Sequence, residues 1–213
     1  MTVSKALQIA GILVGMAAVI VQFGLSLDRF TSDGLSVAGA IVRYFSFFTI
    51  LTNLFVLAVH MAGATPARLA FFRRPSVVNA SVVAIVVVGI VYHLLLARLW
   101  DPQGLQKVTD IMLHYAAPAI MLAWWLGYGR TGGARLRDIP FYLAYPLAYL
   151  AYVLVRAPIA GEVPYPFLDY WQNGWASVMQ MIVAILALFV VVSALIVAAD
   201  RFLPSNVRKS PAP

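Results

Sequence analysis

Six long apolar segments, joined by short loops whose positive charge alternates from one loop to the next, constrain this chain more than any other feature. They run over 6–27, 37–62, 77–99, 109–128, 139–157 and 174–199. A bilayer core about 30 Å thick takes about 20 apolar residues per helix, and each segment is near that length. The fifth is the shortest and is broken by Pro146. With 62% hydrophobic and 11% charged residues, nearly the whole chain is used in crossing. The expectation is an all-α, polytopic membrane protein: one domain over residues 1–213 with six transmembrane helices. That leaves no room for a separate soluble domain, so function must sit in the helices or their short loops.

Lys5, Arg68, Arg73, Arg74, Arg130, Arg135, Arg137, Arg201, Arg208 and Lys209 fall on one side of this arrangement, ten in all. Arg29, Arg98, Lys107 and Arg156 fall on the other, four in all, and Arg43 lies within a span. Positive charge marks the cytoplasmic side, so both termini are expected to be cytoplasmic. The net charge of +7 then reads as topology and contact with anionic headgroups, not as nucleic-acid binding. The first segment begins as a signal peptide would, but its apolar run is too long for a cleaved signal and is taken as the first span. The absence of cysteine excludes disulfides, thiol nucleophiles and Cys-zinc sites. Asn79-Ala80-Ser81 matches a glycosylation sequon but lies in or beside the third span on the cytoplasmic side, where chance explains it better.

Polar side chains inside a bilayer are costly, so their placement is informative. At about 100° per residue, Arg43, Ser46, Thr49, Asn53 and His60 on the second span fall within an arc of about 120°, one face of one helix. Ser, Thr and Asn there can simply bond helices together, and Thr52 and Asn53 are open to that reading; Arg43 can snorkel to the headgroups. On the fourth span Asp110 and His114 are four apart and share a face, and Pro118 removes the helical hydrogen bond to the His114 carbonyl. His93 lies near the outer end of the third span. Ser46, Thr49, His93, Asp110 and His114 should lie at similar depth in the outer half, near Arg43 and Arg156. The fifth span offers Tyr142, Tyr145, Tyr149, Tyr152 and Arg156. Its terminal tyrosines read as belt residues, whereas Tyr149 and Tyr152 are deep enough to line the interior. The last outer loop, GEVPYPFLDYWQNGW, reads as an ordered aromatic cap with Glu162 and Asp169 pointing to water.

A hydroxyl, an imidazole and a carboxylate beside that imidazole are the parts of a nucleophilic hydrolase. There is no G-x-S-x-G elbow and no H-E-x-x-H, and His60, His93 and His114 have no zinc spacing, so no metal and no cofactor is assigned. Arg43 suits a developing oxyanion or a lipid carboxylate. The same polar groups would also serve a lipid-binding protein, a transporter or an acyltransferase.

RYFSFFTILTN, HYAAPAIMLAWWL and VPYPFLDY, in this order across six spans, resemble the six-pass family of the androgen-induced and androgen-dependent threonine hydrolases. YHLLLARLWDPQGLQ and YPLAYLAYVLVR resemble its bacterial members, and the likeness covers roughly residues 5–200. The resemblance implies an intramembrane hydrolase of lipid esters, fatty-acid esters of hydroxy fatty acids among them, in the bacterial inner membrane. The family's Lys/Arg-x-x-Thr-Phe register falls on Arg43 and Ser46, so serine stands where the family has threonine. Thr49 is the equivalent if the register differs. The family histidine corresponds to His114, with Asp110 to orient it. Tyr165, Pro166 and Asp169 match the Tyr-Pro-Phe-Leu-acid stretch. Arg43, Asn53, His93, Tyr149, Tyr152, Tyr165 and Asp169 are the candidate substrate-binding residues, the partner being a lipid or fatty-acyl substrate in the bilayer.

Overall fold

A computed structural model describes residues 2–64 and 69–203; Arg68, Arg208 and Lys209 of the charge count lie outside them. The described residues are helical with short connections and no strand. The principal helices are α1 (Val3–Ser32), α2 (Val37–Tyr44), α3 (Phe48–Ala64), α4 (Pro75–Val91), α5 (Gly104–Ile111), α6 (Ala117–Trp124), α7 (Ile139–Ala160) and α8 (Tyr170–Phe202). Five helical stretches are long and apolar enough to cross a membrane, and α2 with α3 makes a sixth if that bent pair counts as one span. The protein is thus membrane-embedded and all-α.

Several expected segments change at their ends or within. The second is not one helix: the chain turns by 68° between Tyr44 and Phe48. The third runs from Pro75 through α4 and continues as a π-turn over Tyr92–Leu96. The fourth starts earlier, at Gly104, and α5 joins α6 through a π-turn over Met112–Ala116. Pro146 does not break the fifth, since α7 is one helix of 22 residues running through it. Gly174 (φ 73°, ψ 154°) kinks α8 after its first turn, a backbone geometry suited to glycine.

Helix α4 is the centre. Val77 to Val88 is almost wholly buried, and α3, α6, α7 and α8 pack around it. Helix α1 lies antiparallel on α3 through small residues, which let backbones approach where lipid offers no hydrophobic driving force. The clearest case is Gly11, where a Cβ would sit 2.4 Å from Nε2 of His60. His60 is fully buried, its ring edge-on to Trp124, and neither ring nitrogen has a hydrogen-bond partner. Polar rungs tie the helices elsewhere. Thr52 and Tyr145 share a hydrogen bond of 3.0 Å between α3 and α7. Asn79 accepts from Trp125 Nε1 at 2.8 Å and donates to Tyr142 at 3.3 Å. Tyr142 is therefore a buried bundle residue, not a belt residue. At the end where α1 starts and α8 finishes, Arg130 donates to the Ala199 and Leu203 carbonyls, and Asp200 accepts from the Thr131 and Ala134 amides.

Candidate functional site

At the opposite end, where α1 finishes and α5 begins, four polar side chains form a row. The Thr49 hydroxyl, one residue into α3, lies 3.4 Å from Nε2 of His114. Nδ1 of the same ring lies 3.0 Å from the Asp110 carbonyl oxygen and 3.1 Å from the Asp110 carboxylate Oδ1. The carbonyl has the better-aligned contact; Oδ1 sits beside it with no hydrogen bond of its own. Both are acceptors, so Nδ1 carries the proton and Nε2 presents a lone pair to Thr49, an assignment made from the surroundings. The other carboxylate oxygen, Oδ2, accepts a hydrogen bond from Tyr92, whose oxygen in turn accepts from Trp100 Nε1 at 3.3 Å. The Tyr92 ring lies flat on the imidazole, with centroids 3.7 Å apart and 12° between planes. The imidazole is thus fixed in both tautomer and plane.

The π-turns account for this placement. Within Met112–Ala116 the Ala117 N–H reaches back five residues to the Met112 carbonyl. In the same register Leu113 would be bonded by residue 118, but Pro118 has no N–H. Asn53 from α3 supplies the missing donor: its Nδ2 donates to Leu113 O at 3.2 Å and to Thr49 O at 2.9 Å. One amide therefore holds the helix of the histidine to the helix of the threonine. Gly89 permits the close crossing, since a Cβ there would lie 3.1 Å from the His114 carbonyl.

Tyr165 closes the row from the loop after α7. The Thr49 backbone N–H donates to its hydroxyl at 3.2 Å, and the two hydroxyls are 3.4 Å apart. Burial pushes the Tyr165 phenol above its usual value, with the Thr49 hydrogen bonds acting the other way. It is a neutral donor beside the threonine hydroxyl.

Two cavities meet here. One, of about 410 Å³, is polar on one wall, with Gln22, Arg43, Asp110 and His114. The other, of about 90 Å³, is apolar and runs between Phe48, Val87, Leu150, Ile182 and Phe189. Thr49, Tyr92, Leu96 and Tyr165 belong to the walls of both.

Other expected site residues are placed differently. Ser46 is fully buried and lines neither cavity; its hydroxyl donates to the Val42 carbonyl at 2.7 Å and lies 2.8 Å from the Tyr152 hydroxyl. The bend after Tyr44 separates it from the face that Thr49 presents. Tyr149 lines the apolar cavity, and its hydroxyl donates to the Ser46 carbonyl at 2.8 Å. Tyr152 lies on an outward groove and not in the interior. His93 is exposed and pairs with Tyr115 at 3.2 Å, while its neighbour Tyr92 continues the buried face of α4 that runs through Ile85 and Val88. Asn53 is buried off the cavities and acts on the backbone. Asp169 caps α8, accepting from the Trp171 and Gln172 amides at 3.0 and 3.1 Å. Glu162 does not point to water: it bridges Arg43 at 3.0 Å and Arg156 at 2.7 Å.

The sequence reasoning passed over Tyr92, Trp100 and a polar ladder from α1 to α5. In that ladder Gln106 Nε2 and the Thr109 hydroxyl donate to Gln22 Oε1 at 2.8 and 2.7 Å, and Gln22 Nε2 donates to Ser26 at 3.0 Å. The available signal was Gln22, an amide deep in an apolar run.

Fold and site together define a membrane-embedded helical bundle with a hydroxyl, an imidazole and a carboxylate in series at one end. No family model, curated protein or solved structure matches the chain.

Proposed function

We propose that the protein is an intramembrane hydrolase of lipid esters with Thr49, not Ser46, as nucleophile. The supporting observation is the continuous series from the Thr49 hydroxyl through His114 to Asp110, set where a polar and an apolar cavity meet. Nε2 of His114 takes the Thr49 proton as the oxygen attacks the ester carbonyl, and Asp110 stabilises the imidazolium that forms. The Tyr165 hydroxyl, beside the Thr49 oxygen, donates to the developing oxyanion. The alcohol leaves with the proton from His114, water enters from the polar cavity, and the same base activates it against the acyl-threonine. The acyl chain occupies the apolar cavity, while the polar part of the substrate faces Gln22 and Arg43.

The chain crosses the bacterial inner membrane six times with both termini cytoplasmic, which puts the site in the outer half. The deciding experiment is labelling of the purified protein with a fluorophosphonate that carries an acyl chain, the modified residue being mapped by mass spectrometry. Modification at Thr49 supports the reading, and modification at Ser46 or nowhere removes it.

A further inference from the structure

Helices α2 and α7 leave an open groove of about 1010 Å³ between them. Its walls are small or outward-facing apolar residues: Ala38 and Gly39 on α2, and Val155 and Ile159, 66% and 82% exposed, on α7. In a bilayer such a surface is covered by lipid. Tyr152 lines it too, its hydroxyl 2.8 Å from that of the buried Ser46 behind it. Its head is charged. Gly161, at φ 67°, ends α7 in the left-handed conformation and turns Glu162 back onto Arg156.

Glu162 and Arg156 line this groove, whereas Arg43 lines the cavity of Thr49 and His114. The Arg43–Glu162 ion pair, at 3.0 Å, is therefore a partition between membrane-facing groove and reaction cavity. Two features make it a latch. First, it is unbalanced: two guanidinium groups share one carboxylate, one on each oxygen. The neighbouring charges do not correct this, because Arg29 is paired with Asp33, and Asp110 with His114 and Tyr92. A guanidinium fork suits any carboxylate or phosphate, and a partly desolvated uncompensated charge favours one. Second, α2 is held from the α1 side, where Tyr44 is buried and donates to the Val19 carbonyl at 2.7 Å, and only loosely from the α7 side. Its connection to α3 is the non-helical bend over Phe45–Phe47. The Arg43 guanidinium also rests 4.6 Å above the Phe30 ring, which keeps it aimed when Glu162 leaves.

We propose that the seam between α2 and α7 is the portal through which a bilayer lipid reaches the Thr49 site. It selects a lipid with an anionic headgroup, which displaces Glu162 from Arg43 and Arg156 while the chain lies in the groove. The proposal rests on the reading of the Thr49 site as the place of ester cleavage.

The test separates binding from turnover. The full chain carrying Thr49→Ala is placed in phosphatidylcholine vesicles with a photoactivatable fatty acid or its methyl ester, and cross-links are mapped by mass spectrometry. Photoactivatable phosphatidylglycerol and phosphatidylcholine form a second matched pair. The acid should label Val155 and Ile159 about tenfold more than its ester. Arg156→Gln should bring the acid down to the ester's level, and Glu162→Gln should raise labelling, a gain that misfolding cannot produce. Preference for phosphatidylglycerol as well would extend the headgroup class to phosphate; preference for the fatty acid alone would restrict it to carboxylate. Equal labelling by acid and ester, or labelling indifferent to both substitutions, overturns the portal. If charge-selective labelling holds while the unsubstituted protein cleaves no ester, the portal stands and the catalytic reading falls. If esters are cleaved and labelling ignores charge, only the portal falls.

Discussion

The Thr49 hydroxyl and the His114 imidazole, 65 residues apart in sequence, lie 3.4 Å from each other where α3 meets the π-turn before α6. That separation is slightly longer than an ordinary hydrogen bond. Everything around it limits motion on the imidazole side: Tyr92 stacks on the ring, Asp110 holds Nδ1, and Asn53 ties the two backbones together. The threonine sits at the first turn of its helix, next to the bend, where a small movement of α2 would reach it.

Thr49→Ala should lower ester hydrolysis by more than about a thousandfold, since nucleophile and base act as a unit. Ser46→Ala should keep activity within about threefold, because its hydroxyl serves α2 and Tyr152 and removal of such a bond costs about 0.6 kcal/mol. Steady-state hydrolysis of a lipid ester by both variants decides. A dead Ser46→Ala alongside a working Thr49→Ala would reverse the assignment.

Support of the imidazole should come in graded parts. Asp110→Asn keeps the backbone carbonyl that accepts from Nδ1, so the tautomer survives and about ten- to a hundredfold of rate is lost, less than for His114→Ala. Tyr92→Phe keeps the stacked ring and removes only the donor to Asp110, which should cost about tenfold or less. Single-turnover rates with a saturating ester make the comparison; a loss for Tyr92→Phe as large as for His114→Ala would contradict this order.

The apolar segments were legible because bilayer thickness fixes their length, and Asp110 with His114 was legible because four residues make one helical turn. What was not legible is where the helix ceases to be regular. Tyr44-Phe45-Ser46-Phe47 contains no residue that forbids a helix, so the wheel joining Arg43, Ser46 and Thr49 was drawn across a bend of 68°. At His93 and Tyr92 the helical phase decides: Tyr92 lies four residues after buried Val88 and enters the site, while His93 beside it turns outward. Arg43 with Glu162 was out of reach for a different reason, being a pair set by tertiary packing across far separated segments. Pro118 marks a distortion in the sequence, but the compensating donor, Asn53, sits on another helix.

Both termini should report from the cytoplasm, since ten of the fourteen loop and terminal positive residues fall on their side. Reporter fusions after Pro213 and in the loop after Trp100 should give opposite sides. A periplasmic signal from the C-terminal fusion would place the Thr49 site in the inner half and remove the direction of lipid access proposed above.

The α1–α3 contact should be intolerant at one glycine and indifferent at another. Gly11→Ala drives a methyl to 2.4 Å from the buried ring of His60, and overpacking of this kind costs about 1–3 kcal/mol. Gly24→Ala, on the same helix with no side chain within 4 Å, should leave stability unchanged or slightly raised through helix propensity. Thermal unfolding in detergent compares them, and equal midpoints would mean that His60 is not the rigid wedge described.

Asn53 and Pro118 should be coupled. Asn53→Leu withdraws the donor from the Leu113 carbonyl, which Pro118 cannot satisfy, so a buried acceptor is left bare at a cost of about 1–3 kcal/mol. Pro118→Ala restores an N–H to that turn, and in the double variant it can bond a freed carbonyl of the turn from within its own helix. The loss in the double variant should therefore be smaller than the sum of the single effects, by an interaction energy of about 1 kcal/mol. Activity should not recover with stability, because the tie between the backbones of Leu113 and Thr49 is still missing. A double-mutant cycle on the unfolding midpoint, run beside hydrolysis rates, reads both quantities. Strict additivity would mean that Asn53 does something other than replace the proline's absent donor.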